Sequence, residues 1–194
     1  AQGLGDERAR RHGDLMEAIL DIGTLLAAVD DLHGDNEIFE LSRRRQSSIR
    51  DKGLRCGLLG RKLGHSYSPQ IHSMLCPYEY LLYEKEPEEL ECFLRSGSFD
   101  GLNVTVPYKK AVAALCDELS DTARQLGSVN TVIRRADGTI YGDNTDFFGF
   151  EDLVRVSGIC VKGKKALVLG TGGVSVTVCA VLRKLGAPEV VTVS

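Results

Sequence analysis

The chain has 194 residues, of which 43% are apolar and 26% charged, and its formal net charge is −3. That length and balance describe a globular protein of one to two domains with a core of its own, and exclude a disordered or collagen-like chain. The slightly acidic balance provides no basic field for nucleic acid or an anionic membrane surface, so neither is expected as a partner.

No apolar run approaches the ~20 residues that span a bilayer. The N-terminus is rich in Arg and Asp and lacks a signal-peptide core. A cytoplasmic location is expected. The six cysteines, Cys56, Cys76, Cys92, Cys116, Cys160 and Cys179, are irregularly spaced and form no CxxC pair. No metal site or disulfide framework is therefore expected, and the thiols read as small buried residues in a reducing compartment.

Residues 1–53 read as a helical extension. Leu15, Ile19, Ile22, Leu25, Leu26 and Val29 recur near a 3.6-residue period, His33 to Asn36 interrupt, and a second helical stretch covers Glu37 to Arg50. From Leu54 the texture changes. Leu54–Gly60 is a short apolar strand, followed by an extended loop and a helix from Pro69 to Leu75. Tyr80–Glu84 reads as a strand, Pro87–Ser96 as a helix, Gly101–Val106 as a strand, and Pro107 opens a helix to about Leu115. Ser120–Leu126 is a further helix. Ser128–Arg135 and Thr139–Gly142 are strands joined by an Ala136-Asp137-Gly138 turn. Phe147–Ser157 is a helix with Phe150, Leu153 and Val154 on one face. Strands alternating with helices predict an α/β fold with a mainly parallel sheet flanked by helices.

Gly158 to Gly163 is a natural boundary. Beyond it lie a strand (Lys165–Leu169), a glycine turn, an apolar helix (Val176–Leu185) and a strand (Glu189–Ser194), which together make one βαβ unit.

Three features carry chemistry. The turn Gly170-Thr171-Gly172-Gly173-Val174-Ser175 joins a strand to a helix start, where glycines admit a pyrophosphate to free N–H groups and the positive end of the helix dipole. Ser175 stands where the strict fingerprint has its third glycine, and a small residue there still permits close packing. The competing reading is a glycine turn without a ligand.

The second feature is a set of small polar groups at strand ends. Ser66 and Ser68 lie two apart, Asn103 and Thr105 alternate on a strand, and Asn130-Thr131 and Asn144-Thr145-Asp146 repeat the pattern. Singly these are turn formers or helix caps. Collected at one sheet edge they suit a polyhydroxylated ligand.

The third is Lys109, in the first turn after Pro107, where the helix dipole opposes a cation and a carboxylate such as Asp146 would offset it. A Lys–Asp couple can deliver a proton to a carbonyl oxygen as hydride reaches its carbon. Lys110 is adjacent, and the chemistry alone does not choose between the two lysines.

The strings GLLGRKLGHSYSPQIHSML, FDGLNVTVPYKK, LGSVNTVIRRADGTIYGDNTDFFGF and KKALVLGTGGVS occur in this order, and with them residues 54–194 resemble the shikimate dehydrogenase family. The resemblance implies reduction of 3-dehydroshikimate to shikimate with NADPH, in aromatic amino-acid biosynthesis. It implies a substrate-binding domain at 54–158 and the start of a Rossmann dinucleotide domain at 159–194. Ser66 and Ser68 correspond to the serines that bind the substrate carboxylate. Asn103, Thr105, Asn130 and Asp146 correspond to the groups that hold the ring hydroxyls. Lys109, which follows the NVT-x-P-aromatic string, is favoured over Lys110 and pairs with Asp146 as the catalytic couple. Gly170, Thr171, Gly172, Gly173, Val174 and Ser175 correspond to the cofactor loop, in which the family commonly has Ala at the positions of Thr171 and Val174.

The residue that separates NADP from NAD would follow Ser194, so NAD stays open beside NADP. The rest of the family's cofactor domain and its terminal substrate-contacting Gln also lie beyond Ser194, so this polypeptide alone is expected to bind dinucleotide poorly and turn over little. Glu40 to Gln46 is similar to the last helix of the helical chorismate mutases. Residues 14–50 are accordingly read either as a remnant of such a mutase, implying fusion to or association with one, or, in preference, as a plain amphipathic extension without mutase activity. Two alternatives to the leading reading are a quinate/shikimate dehydrogenase preferring NAD and a non-catalytic binding protein that kept the fold.

Overall fold

The computed structural model describes residues 53–64, 66–75 and 78–194. The helical extension, its chorismate-mutase reading and Cys76 lie outside the described residues.

Residues 55–143 build a six-stranded sheet in the order β2-β1-β3-β5-β6-β4. Its strands are β1 (Arg55–Gly60), β2 (Glu79–Glu84), β3 (Gly101–Val104), β4 (Glu118–Leu119), β5 (Thr131–Arg134) and β6 (Ile140–Asp143). The helices between them are α1 (Ser68–Leu75), α2 (Leu90–Arg95, entered through a 3-10 turn at Pro87–Glu89), α3 (Lys109–Leu115) and α4 (Asp121–Leu126). β1 runs parallel to both β2 and β3, and β4 parallel to β6. β5 is antiparallel to both its neighbours, β3 and β6. The sheet is thus mainly parallel, with one reversed strand supplied by the β5–β6 hairpin that the Asp137-Gly138 turn predicts.

The core forms where α2, α3 and α4 cover the central strands. Leu59, Leu94, Phe99, Leu102, Val104, Val112, Val129, Val132 and Ile140 are buried to within 2% of full enclosure. Each such aliphatic or aromatic side chain contributes roughly 1.5–3 kcal/mol on burial. Gly60 ends β1 at a point of close approach. A Cβ there would lie 2.6 Å from the Leu63 side chain and 2.8 Å from the Thr105 methyl, so only glycine lets these two loops converge on the strand end.

Helix α5 (Asp146–Val156) leads to the second sheet, formed by β7 (Lys165–Leu169) and β8 (Glu189–Val193) in parallel, with α6 (Ser175–Lys184) between them. α5 packs on α6. Their contact is organised by Glu151, 4% exposed, whose two oxygens accept from Arg155 at 2.7 Å and Lys184 at 2.6 Å. The Lys184 ammonium also lies 5.1 Å from the centre of the Phe147 ring.

Several local expectations are corrected. β3 stops at Val104, so Thr105 lies beyond the strand, its N–H donating to the Leu59 carbonyl at 2.9 Å. Pro107, whose peptide bond to Val106 is cis, precedes the helix instead of opening it, and α3 begins at Lys109. Ser68 is the first residue of α1, not part of an extended loop. On α5 the expected apolar face fails at Leu153, which is 45% exposed, while the charged Glu151 is turned inward because α6 supplies its cation. Of the described cysteines only Cys56 and Cys179 are buried, whereas Cys92 and Cys160 are exposed.

Candidate active site

The sheet topology brings the polar strand ends together. β1, β3 and β6 finish at one edge, and antiparallel β5 starts there. In register, Asn103 lies between Leu58 of β1 and Thr131 of β5, and Thr131 pairs with Asp143 of β6. The Val104 N–H donates to the Asn130 carbonyl at 2.6 Å, and the Val129 N–H to the Lys109 carbonyl at 2.9 Å. Backbone bonds alone therefore place Lys109, Asn130 and Asn103 on neighbouring segments.

Two helices begin at this edge, α3 with Lys109 and α5 with Asp146. The helix dipole favours the carboxylate at its position and disfavours the ammonium at the other. Bringing the two together offsets the second effect. Lys109 Nζ lies 2.5 Å from Asp146 Oδ2, with side-chain exposures of 16% and 33%, sheltered yet reachable from outside. Lys110 is exposed and forms no ion pair among the described residues.

The second Asp146 oxygen accepts from Asn130 Nδ2 at 2.7 Å. The orientation of that amide is fixed, because Asn130 Oδ1 accepts from the Thr145 backbone N–H at 2.8 Å and from the Thr131 hydroxyl at 3.0 Å. A backbone N–H can only donate, so the carbonyl side of the amide must face it and the NH₂ side must face the carboxylate. Both oxygens of Asp146 are thus held by donors, and its carboxylate cannot swing away from Lys109. Thr131 and Thr145, which the strand-end pattern groups with the ligand-facing residues, are buried behind Asn130 and orient it.

A second cluster lies along the same edge. The Tyr80 hydroxyl donates to Asn103 Oδ1 at 2.8 Å, and Ser68 stands beside the same phenol. Ser66 Oγ accepts from the Ser68 N–H at 3.2 Å. Ser66 and Thr105 line a cavity of about 670 Å³ that also touches Leu63, Gly64 and Lys85. Lys109 and Asp146 are not among the residues that line it. Tyr80 is the site residue that sequence reasoning missed. It reads as an ordinary strand aromatic, and its only signal is the alternation that sets Tyr80 and Leu82 on one face of β2.

The glycine turn joins β7 to α6 as expected. Gly170 adopts φ +112°, open to glycine and disfavoured for other residues, and its N–H donates to the Val193 carbonyl at 2.7 Å. Ser175 starts the helix and turns its hydroxyl back to the Gly172 carbonyl at 2.7 Å, so it occupies the place of a third glycine without projecting into the turn. A Cβ at Gly172 or Gly173 would meet nothing within 4 Å. The backbone face of the turn is open to a diphosphate, and the residues present fit one. Among the described residues no cluster of His, Cys, Asp and Glu could hold a metal ion, and no helix is long and apolar enough to cross a membrane.

Comparison with known proteins finds relatives of the six-stranded sheet and the unit that follows it. Residues 58–132 match the model of the shikimate dehydrogenase substrate binding domain. The chain is 41% identical over 141 residues to the NADP(+) shikimate dehydrogenase of Rubrobacter xylanophilus, a match covering 69% of this chain and 50% of that protein. The shikimate 5-dehydrogenase of Thermus thermophilus in complex with NADP(H) and shikimate superposes with a TM-score of 0.64 at 37% identity, over 72% of this chain and 55% of that one. A chorismate mutase/shikimate 5-dehydrogenase fusion protein from Clostridium acetobutylicum gives 0.65 at 34% identity, over 72% and 54%. The chain spans about half the length of the curated relatives it matches. Through the matched segment and the sheet edge built on it, the chain resembles the shikimate dehydrogenases.

Proposed function

We propose that this chain supplies the substrate site and the first dinucleotide-binding unit of a cytoplasmic, NADP-dependent shikimate dehydrogenase, which interconverts 3-dehydroshikimate and shikimate in aromatic amino-acid biosynthesis. The division that supports this reading is a substrate domain at 54–158 and the start of a Rossmann domain at 159–194. The observation that carries it is the Lys109–Asp146 pair, 2.5 Å apart, with Asn130 pinning the carboxylate at 2.7 Å.

When bound, the reduced nicotinamide supplies the hydride. The chain's own residues manage the proton and the orientation of the ring. In the reducing direction the Lys109 ammonium donates a proton to the carbonyl oxygen of the substrate as that oxygen gains charge, and in the oxidising direction the amine accepts it from the hydroxyl. Asp146 holds Nζ in place. Asn103, Thr105, Asn130 and Asp146 offer the amide, hydroxyl and carboxylate groups that hold the ring hydroxyls, and Ser66 and Ser68 offer hydroxyl donors to the ring carboxylate. The turn Gly170–Ser175 holds the diphosphate of the dinucleotide on exposed backbone N–H groups. The fusion protein of Clostridium acetobutylicum supports association with a chorismate mutase as a partner activity.

The test is shikimate-dependent NADPH formation by the full-length protein and its Lys109→Ala variant. General acid–base groups contribute about 10²–10⁴-fold, so kcat is expected to fall by at least about 100-fold. Undiminished turnover in the variant would remove the acid–base role of Lys109.

A further inference from the structure

The Tyr80 phenol occupies a position that the proposed reaction does not yet use. It projects from β2, the outermost strand of the six-stranded sheet, toward Asn103, a residue assigned to substrate. Its hydroxyl lies 2.8 Å from Asn103 Oδ1. The Asn103 side chain has no other hydrogen bond among the described residues. With one end of the amide taken by the phenol, the other end is left for a ligand.

An asparagine amide presents a donor or an acceptor to a ligand depending on a 180° turn of its terminal group. At Asn130 that choice is settled by a backbone N–H. At Asn103 no backbone group takes part, and the Tyr80 phenol is the group that holds the end of the amide it faces, whether it donates to Oδ1 or accepts from Nδ2. The phenol is itself held in place. The His72 ring stacks on the Tyr80 ring at 3.7 Å between centroids and 16° between planes, and His72 Nδ1 is hydrogen-bonded to the Tyr78 hydroxyl at 2.5 Å. His72 lies on α1, one turn after Ser68, so the same stack sets the distance between that helix start and the strand. Burial pushes the Tyr80 phenol well above its ordinary range, which keeps the proton on the oxygen.

We infer that Tyr80 is a positioning residue of the substrate site: its phenol hydrogen-bonds one end of the Asn103 amide and so holds the other end toward a ring hydroxyl of the substrate. This inference rests on the dehydrogenase reading for the identity of the ligand, but not for the contact that holds the amide.

Tyr80→Phe removes one oxygen and keeps the ring that His72 stacks on. In the full-length protein the variant is expected to raise KM for shikimate about fivefold, the worth of one neutral hydrogen bond, with kcat within twofold and an unchanged unfolding midpoint. Combined with Asn103→Ala it should add nothing to the KM of the Asn103→Ala single variant, because Tyr80 acts through that amide. Additive effects, or a loss of kcat in step with a lowered midpoint, would show a merely structural tyrosine and overturn the inference. The side-chain amide resonances of Asn103 in ligand-free, asparagine-labelled protein give a readout independent of turnover. They should shift in Tyr80→Phe, and their constancy would also overturn it. Tyr80-dependent Asn103 resonances in a parent protein that neither binds nor oxidises shikimate would support the positioning role and remove the dehydrogenase reading instead.

Discussion

The two sheets treat their apolar strands differently. In the six-stranded sheet the central residues Leu59, Leu102, Val132 and Ile140 are at most 1% exposed. In the two-stranded sheet Leu167, Leu169, Val191 and Val193 are 63%, 80%, 43% and 48% exposed. Both sets come from equally apolar strings. The difference lies in what covers them: α2, α3 and α4 close over the first sheet, while α6 covers one face of the second and leaves the other open. Parallel strands with unbroken apolar runs are built to be covered on both faces. The polar strand-end edge is therefore mounted on a well-covered core, and the glycine turn on a single covered layer.

The sharpest way to test this contrast is to delete the same side chain on each sheet. Leu102→Ala, which empties a fully enclosed site, is expected to cost about 2–5 kcal/mol in denaturant unfolding. Leu169→Ala removes a side chain that is 80% exposed, and should change stability by no more than about 0.5 kcal/mol. Similar costs at the two positions would mean that the open face is covered in solution.

A second effect of nearly that size belongs to the finished sheet alone. Burial lowers the His72 pKa to about 4 from the ordinary 6.5. The unfolded chain thus binds the proton more readily than the folded one, so His72 favours folding fully above about pH 6.5, and that contribution is lost as pH falls from 6.5 toward 4. At 1.36 kcal/mol per unit the loss approaches roughly 3 kcal/mol. Unfolding curves at pH 7 and pH 4.5 should show it in the parent, and His72→Phe, which keeps an aromatic ring against Tyr80, should lose that part of the acid sensitivity. An identical acid drop in both would place the titrating group elsewhere.

Much of this was legible in the sequence, and the gaps have physical causes. The order of elements, the β5–β6 hairpin and the glycine turn follow from local rules of periodicity and turn chemistry, which need no partner. Lys109, Asn130 and Asp146 could be nominated from their places at strand and helix ends, though the choice of Lys109 over Lys110 required the family resemblance. Ser68 was misplaced because a serine before proline reads equally as loop or helix start. Tyr80 was missed because an aromatic on a strand looks like core until the register shows which residue it faces. Glu151 was missed for the opposite reason: a charge inside an apolar helix face reads as a solvated position, and only α6, with Lys184 at its far end, makes burial affordable there.

Glu151 is also where the two regions meet, so it provides the most direct probe of their coupling. Its carboxylate is 5% exposed, while its partners Arg155 and Lys184 are 62% and 49% exposed. Neutralising it leaves no charge stranded in the interior, because both cations can turn to water, and the cost is limited to charge-assisted hydrogen bonds in a half-open setting. Glu151→Gln should therefore destabilise the chain by only about 1–2 kcal/mol. Its more telling effect is expected in hydrogen exchange, with protection lost in α6 and β7–β8 and retained in the six-stranded sheet. Equal loss of protection in both sheets would show that they unfold as one unit and that the contrast between them is one of exposure alone.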